Sequence, residues 1–186
     1  MMGCMYEPKP KCVDTDYSDF FIASPKAFCC TEAAAVQPES PEAPAHDAFT
    51  RLLHRLEPDP VTLWNEAQPM VQLRGGLLVL DDSTLDKHYA KKIDLVGRHW
   101  SGKHKRVVWG INLILMVWTD SDRVIPCDYR IYDKAKDDLT KNDHFLAMLR
   151  EAKVRGFEPQ CVAVDSWYSS LANLKAVRAC GWTFLT

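Results

Sequence analysis

Two short apolar runs, each followed directly by aspartate, constrain the fold of this 186-residue chain more than any other feature. Residues 77–80 (LLVL) lead into Asp81 and Asp82, and residues 161–164 (CVAV) lead into Asp165. A continuous apolar run of this length is typical of a strand that is buried on both faces of a sheet. If the two strands are parallel neighbours, Asp82 and Asp165 emerge side by side at their carboxyl ends, where ligand sites gather.

The segments between and after these runs predict a mixed α/β domain. Residues 107–118 and 123–132 form the two arms of a hairpin, and Thr140 with Asp143 resembles a capping box that opens a helix. The remaining predicted elements are the end of that helix at Gly156, a helix capped by Ser169 or Ser170 and closed by Gly181, and a strand over residues 182–185. We therefore expect three antiparallel strands and a fourth that returns after a helix to lie parallel to the first. This is the order of an RNase H-like mixed sheet.

The first 74 residues have a different composition, because nine of the eleven prolines fall within the first 70. Residues 33–45 contain three prolines and no aromatic residue, which is typical of a linker, so residues 1–45 are expected to form a poorly ordered segment and linker. Residues 46–74 are predicted to form a small helical segment in which Asp47 caps the first helix. Two short helices around a tight turn suit DNA binding, with Arg51 as a contact, and equally suit a structural cap. The predicted apolar face of the first helix consists of Phe49, Leu52, Leu53 and Leu56.

Carboxylates at matching strand ends can bind a metal ion. Two of them repel each other unless a cation lies between them, and Mg²⁺ prefers carboxylate oxygen. Two such ions can activate a nucleophile and stabilise the leaving oxygen in phosphoryl transfer. Strand-end aspartates also cap turns, and this alternative stays open for Asp82 and Asp165. Asp81 competes with Asp82 for the first position, but neighbours on a strand point to opposite faces, so only one of them faces the site.

The segment 83–106 is a candidate DNA-binding surface. It carries seven Lys or Arg against two Asp, a local charge of +5 with His neutral, whereas the whole chain has a net charge of −2. That total excludes a uniformly basic DNA-coating protein, but phosphate contact requires only a local basic surface. The alternative is a solvated loop with some core aromatic residues. The candidate DNA contacts in this segment are Lys87, Lys91, Lys92, Arg98, His99, Lys103, His104, Lys105 and Arg106.

Trp167 directly follows the second aspartate and has two interpretations. In the first, it stacks on a DNA base near the site. In the second, it covers the end of the sheet in a cluster with Tyr168 and Leu171.

Several blocks of the sequence, in the right order, resemble DDE transposases of bacterial insertion sequences. Residues 80–84 (LDDST), 86–87 (DK) and 89–92 (YAKK) resemble the first catalytic block, which residues 97–106 (GRHWSGKHKR) and 130–134 (RIYDK) continue. Residues 165–170 (DSWYSS) resemble the second block, and residues 46–47 (HD) with 50–51 (TR) resemble the segment before the catalytic domain. The resemblance covers roughly residues 46–186, whereas residues 1–45 match less clearly.

The resemblance implies DNA transposition by an RNase H-like domain that uses Mg²⁺, or Mn²⁺ in its place, and three acidic residues. Asp82, which precedes the Ser/Thr pair, would be the first metal ligand and catalytic residue, and Asp165 the second. The expected partners are transposon ends and target DNA, with a homodimer in the full-length enzyme. Residues 75–186 would be the N-terminal part of the catalytic domain.

The third acidic residue of the family, a glutamate on a later helix, has no counterpart here. Glu151 and Glu158 lie too early in the predicted topology to replace it. We therefore expect a chain that ends before the third residue and is inactive by itself. Two alternatives stay open: a non-catalytic DNA-binding remnant of a transposase, and a metal-dependent nuclease of the same fold.

Cysteine usage and hydropathy bear on the compartment. The seven cysteines are odd in number and form no CxxC pair, which favours a reduced cytosol over a disulfide framework. The longest apolar run, over residues 111–118, is too short to span a bilayer. With the resemblance, this predicts a bacterial, cytoplasmic and nucleoid-associated protein.

Overall fold

The computed structural model describes residues 10–24, 29–56, 58–90, 92–133 and 136–186, which fall into two compact units. The first unit is Met1–Pro58 and the second is Asp59–Thr186. Among the described residues, no helix has both the length and the apolar character needed to cross a membrane.

The described residues of the first unit form three helices, α1 (Asp14–Ala23), α2 (Cys30–Ala35) and α3 (His46–Arg55). Its small core consists of Cys12, Phe20, Ala33, Ala48, Phe49 and Leu52. Residues 33–35 of the predicted linker belong to α2 and are therefore helical. The buried side chain of Ala33 packs in this core. Two predictions for α3 differ from the structure. Ala45 rather than Asp47 is the N-cap, and Leu53 and Leu56 are exposed.

The helix α4 (Pro60–Ala67) belongs to the second unit, so the structure divides the predicted helical segment 46–74 after Pro58. Asp59 caps α4 by accepting hydrogen bonds from the backbone of its first turn, and Pro60 suits the first helical position. The ring of Trp64 packs against that of Phe157, with 5.3 Å between their centroids. This apolar contact fixes α4 on the second unit. A short 3-10 turn (Gln68–Met70) follows.

A six-stranded mixed sheet forms the centre of the second unit. Its strands are β1 (Leu77–Asp86), β2 (Gly97–Ser101), β3 (Arg106–Thr119), β4 (Val124–Tyr132), β5 (Cys161–Val164) and β6 (Phe184–Leu185). The strand β3 pairs antiparallel with β1, β2 and β4, whereas β5 pairs parallel with β1 and β6. The predicted parallel return of residues 161–164 beside residues 77–80 is therefore confirmed. The strand β2, within the basic segment, was not predicted.

The strand β1 differs from its prediction in two respects. It continues to Asp86 because β3 pairs with it over its whole length, although its pairing with β5 ends at Leu80. It is also not buried on both faces. Leu78 and Leu80 are fully buried, whereas Leu77 and Val79 are only half-buried, because the core lies on one face of the strand.

Two helices of the second unit complete its core, α5 (Lys141–Val154) and α6 (Leu171–Ala179). The capping box of Thr140 and Asp143 is confirmed at the start of α5, and Ser170 caps α6. The predicted apolar face of α5 is also confirmed, because Phe145, Met148, Leu149 and Ala152 are buried. On α6, Leu171 is exposed, and the buried positions are Asn173 and Val177.

Candidate functional site

The pairing of β1 with β5 brings the three aspartates to one edge of the sheet. Leu80 lies opposite Val164 at the end of the parallel register, and Asp81 and Asp165 are the next residues in the chain. Because side chains alternate along a strand, Asp82 continues on the side of the buried Leu80, and Asp81 lies on the other side. Asp165 follows β5 in the turn toward α6, near enough to Asp81 for its negative charge to raise the pKa of Asp81.

Asp82 is a partly buried carboxylate with three hydrogen-bond donors around it. Its side chain is 16% exposed and accepts hydrogen bonds from Asn112 Nδ2 at 2.8 Å, Lys141 Nζ at 2.7 Å and the Tyr168 hydroxyl at 3.2 Å. Burial by itself raises the pKa of Asp82, but the hydrogen bonds from Asn112 and Lys141 and the charge of Lys141 outweigh it. The pKa of Asp82 therefore lies below its ordinary value, and its negative charge is largely compensated.

Asp81 has the opposite electrostatic environment. Partial burial raises the pKa of Asp81, and the negative charges of Asp165 and Asp82 raise it further, whereas a hydrogen bond from the Asp82 backbone and the positive charge of Lys141 lower it in part. Within the part of the chain that the structure describes, no lysine or arginine forms an ion pair with Asp81 or Asp165. Two neighbouring carboxylates without a paired cation are the donor set that a hard divalent cation prefers.

Asp165 also has a local structural role. Its Oδ1 accepts hydrogen bonds from the backbone N–H groups of Trp167 at 3.0 Å and Tyr168 at 3.3 Å. These contacts form the turn that leads from β5 toward α6, as the turn-cap interpretation of strand-end aspartates predicts. They occupy one carboxylate oxygen and fix the side chain, which leaves the other oxygen for a further ligand.

The three aspartates line a common pocket of about 580 Å³. Its other lining residues are Thr84, Trp100, Gly102, Lys141, Ser166 and Trp167. The strand β2 reaches this pocket through a hydrogen bond from Thr84 Oγ1 to the Trp100 carbonyl at 3.3 Å. The expectation that only one of Asp81 and Asp82 faces the site differs from the structure, because both line this pocket. The role of Asp82 as a metal ligand stays a prediction.

Sequence reasoning missed Lys141 and Asn112 as members of this site. Lys141 reaches it from the start of α5, and Asn112 is fully buried on β3. No local pattern marks them, because each one enters the site through contacts between segments far apart in the chain. Trp100, one of the aromatic residues interleaved with the basic segment in the sequence, lies on β2 at the pocket with 64% of its surface exposed.

Most of the predicted DNA contacts are exposed around the hairpin of β2 and β3. The exposed members are Lys87, Lys92, Arg98, Lys103, His104, Lys105 and Arg106. The turn of this hairpin begins at Gly102, which lines the carboxylate pocket, so a basic surface begins at the pocket rim. The basic residues lie on the strands and turn of the hairpin, except for Lys87 and Lys92, which lie in the connection from β1 to β2.

Three other predicted contacts differ from this group. His99 is only 6% exposed, and its ring packs against Tyr132, so its burial does not suit contact with DNA. Arg51 belongs to the first unit, where its guanidinium pairs with Asp47 at 2.5 Å. Lys91 lies outside the described residues.

The surroundings of Trp167 separate its two interpretations. Trp167 is 65% exposed at the pocket, and Leu171 is also exposed, so the predicted packing cluster does not form. Tyr168 takes the buried position instead, and its ring stacks on Phe145 with 5.4 Å between centroids. A largely exposed indole beside a polar pocket is available for contact with a ligand.

The donor set fits a divalent cation through two carboxylates. Among the residues that the structure describes, no group of three or more His, Cys, Asp or Glu side chains is arranged to hold a metal ion. Asp81 and Asp165 supply oxygen donors of the kind that Mg²⁺ prefers, and water or substrate oxygens commonly complete its coordination.

No protein-family model and no curated protein sequence matches this chain. Among solved structures, it is similar to the piggyBac transposase synaptic complex with hairpin DNA, with a TM-score of 0.43 and 13% identity over 76% of this chain. It is also similar to the Mos1 strand transfer complex (TM-score 0.37, 12% identity) and to a pre-cleavage Mos1 transpososome (TM-score 0.31, 12% identity), each over 97% of this chain. The matches span 33% of the piggyBac chain and 59% and 60% of the Mos1 chains.

Proposed function

We propose that the second unit is the RNase H-like domain of a DDE-type transposase, which binds DNA and carries out metal-dependent phosphodiester cleavage and strand transfer. The observation that carries this proposal is the common pocket of Asp81, Asp82 and Asp165, where the pairing of β1 with β5 ends, close to a basic hairpin. The strand order and the motif resemblance to transposases of bacterial insertion sequences support it independently.

The metal site consists of Asp165 and one of the two β1 carboxylates. The resemblance assigns Asp82, whereas the ion pair of Asp82 with Lys141 and the effect of the Asp165 charge on Asp81 favour Asp81, and we propose Asp81. A divalent ion bound there would stabilise the charge that develops on the phosphate oxygens during cleavage. The part of this chain in that chemistry is to hold the two carboxylates at fixed positions, Asp165 through its turn hydrogen bonds and Asp81 through the Asp82 N–H.

DNA would approach along the basic hairpin. The exposed side chains of Arg98, Lys103, Lys105 and Arg106 would contact backbone phosphates, which position the duplex without reading its sequence. The exposed Trp167 would stack on an unpaired base at the pocket. Such contacts lead the phosphodiester to the carboxylates, which by themselves would repel it.

Metal binding tests the site directly. We expect the chain to bind Mn²⁺, measured by electron paramagnetic resonance of the free ion, and Asp81→Asn and Asp165→Asn to lose most of this binding. Asp82→Asn retains it if Asp81 is the ligand, and loses it if the resemblance is the better guide. Asp122→Asn, in the exposed turn between β3 and β4, is the matched control. Equal Mn²⁺ affinity in all four variants would exclude a site at this pocket.

The fate of DNA separates the proposed function from its alternatives. Joining of transposon ends to target DNA, in a protein that contains this unit, is the expected result for a transposase. Cleavage without joining would support a nuclease of the same fold. Binding of both DNA and Mn²⁺ without either reaction would support a non-catalytic DNA-binding protein.

A further inference from the structure

Lys141 is a partly buried cation inside the carboxylate pocket. Its side chain is 20% exposed, and its Nζ lies 2.7 Å from Asp82 Oδ2. It also lies 5.8 Å from the centroid of the Tyr132 ring. A lysine ammonium has three donors, and in the described part of the chain the structure assigns one of them to Asp82. The pocket to which Lys141 contributes is also the pocket of Asp81 and Asp165.

Folding stability does not explain this ion pair well. Taking two charges partly out of water costs desolvation energy, and an apolar pair of similar volume is often at least as stable. The pair also lies at the first residue of α5, where the helix dipole disfavours a positive charge. The ammonium is therefore held at a position that local helix energetics oppose.

Asp82 is fixed firmly enough to orient Lys141. The carboxylate is bonded to Asn112, which is fully buried on β3, and to Tyr168, which is fully buried and stacked on Phe145. Asn112 on β3 and Tyr168 in the turn after β5 are both buried, and they hold Asp82 independently of Lys141. The position of the ammonium follows from the position of this carboxylate.

We infer that Asp82 is a positioning residue that holds Lys141 in the pocket, and that Lys141 binds a non-bridging oxygen of the phosphodiester next to Asp81 and Asp165. This inference rests on the proposed function. The phosphate would then lie between the ammonium and the carboxylate pair, which the divalent ion neutralises. The ligand is defined by its chemistry, a phosphodiester of DNA.

Salt-dependent DNA binding tests the role of Lys141 without requiring cleavage. We expect Lys141→Gln to weaken binding of duplex DNA and to lower the slope of log K against log [salt] by about 0.9, the value for one lost phosphate contact. Lys141→Arg should retain the slope. Arg150→Gln removes one charge from an exposed position on the same helix and is the matched control. Lys141→Gln with the affinity and slope of Arg150→Gln would overturn the inference.

Asp82→Asn tests the positioning role, because the two interpretations of Asp82 predict opposite changes in DNA affinity. Removing a negative charge should strengthen DNA binding if Asp82 acts only through its charge. A positioning role predicts weaker binding, because Lys141 loses its anchor. Stronger binding by Asp82→Asn would therefore overturn this part of the inference.

A double variant without either charge provides a test if one of the single variants does not fold. Asp82→Asn combined with Lys141→Met removes both charges and leaves no buried charge unpaired. This double variant should show the same reduced salt slope as Lys141→Gln, and a wild-type slope would contradict the inference. Mn²⁺ affinity, measured on the same proteins, reports on Asp81 and Asp165. If the wild-type protein does not bind Mn²⁺, the proposed metal site is rejected, even if the salt slope supports phosphate binding by Lys141.

Discussion

Leu80 of β1 lies opposite Val164 of β5, one residue before an aspartate on each strand. This pair brings Asp81, Asp82 and Asp165 to one edge of the sheet, where all three line a common pocket. On β1, a shift of one residue in the register would exchange the faces on which Asp81 and Asp82 lie. With the observed register, Asp82 accepts hydrogen bonds from Lys141, Asn112 and Tyr168.

Asp81→Asn and Asp82→Asn should change stability in opposite directions. Asp81→Asn removes a carboxylate whose charge is disfavoured by partial burial and by the negative charge of Asp165, so the metal-free protein should become more stable. Asp82→Asn leaves the Lys141 ammonium without its anion, which should cost on the order of 1–3 kcal/mol. Urea denaturation of both variants measures the two effects. A loss of stability of similar size in both would mean that the repulsion of Asp81 and Asp165 is negligible.

Mg²⁺ should stabilise the wild-type protein by binding only its folded state. At a concentration one hundred times its dissociation constant, the expected gain is about 2.7 kcal/mol. Asp165→Asn should show no gain, because one of the two oxygen donors at the site is lost. Thermal unfolding with Mg²⁺, and again after addition of EDTA, is the measurement. Equal stabilisation of Asp165→Asn would place the ion elsewhere.

DNA binding should depend steeply on salt through the turn of the β2–β3 hairpin. Replacing Lys103, Lys105 and Arg106 by Gln should lower the slope of log K against log [salt] by about 0.9 for each phosphate contact removed. Lys175→Gln, at an exposed position on α6, is the control. Fluorescence anisotropy of labelled duplex DNA gives both affinity and slope. An unchanged slope would return the hairpin to the solvated interpretation.

Trp167→Ala should weaken binding of DNA with unpaired bases while leaving the fold intact. Stacking of a base on an indole contributes about 1–3 kcal/mol, whereas an indole that is 65% exposed contributes little to the core. Trp109→Ala, at a half-exposed position on β3 outside the pocket, controls for the loss of a surface indole. Normal affinity combined with lower stability in Trp167→Ala would support the packing interpretation.

The 186-residue chain should bind DNA and leave it intact with Mg²⁺ or Mn²⁺. Cleavage in one step requires stabilisation of both the attacking and the leaving oxygen, and two carboxylates suffice to hold one ion but not a pair. Incubation with supercoiled plasmid and with a transposon end measures nicking. Metal-dependent nicking that disappears in Asp165→Ala would show that a third ligand comes from this chain or from a second copy.

The sequence by itself determined the parts of this protein that depend on local patterns. The runs 77–80 and 161–164 predicted their strands, because four consecutive apolar residues before aspartate have few alternatives. The spacing of Thr140 and Asp143 predicted the start of α5, because a capping box satisfies backbone donors within one turn. The charge of the segment 83–106 predicted a basic surface, because charged side chains remain in contact with solvent whether the backbone forms a strand or a loop.

The tertiary structure decided everything that depends on which face of an element is covered. Alternation along β1 implied that Asp81 and Asp82 point to opposite sides, but only the packing of the core on Leu80 decided which side each one takes. The same packing buried His99 and left Trp167 exposed. Lys141 entered the site because α5 begins beside Asp82, a contact between residues that are distant in the chain. Such contacts depend on how the elements pack together, and no short pattern in the sequence encodes them.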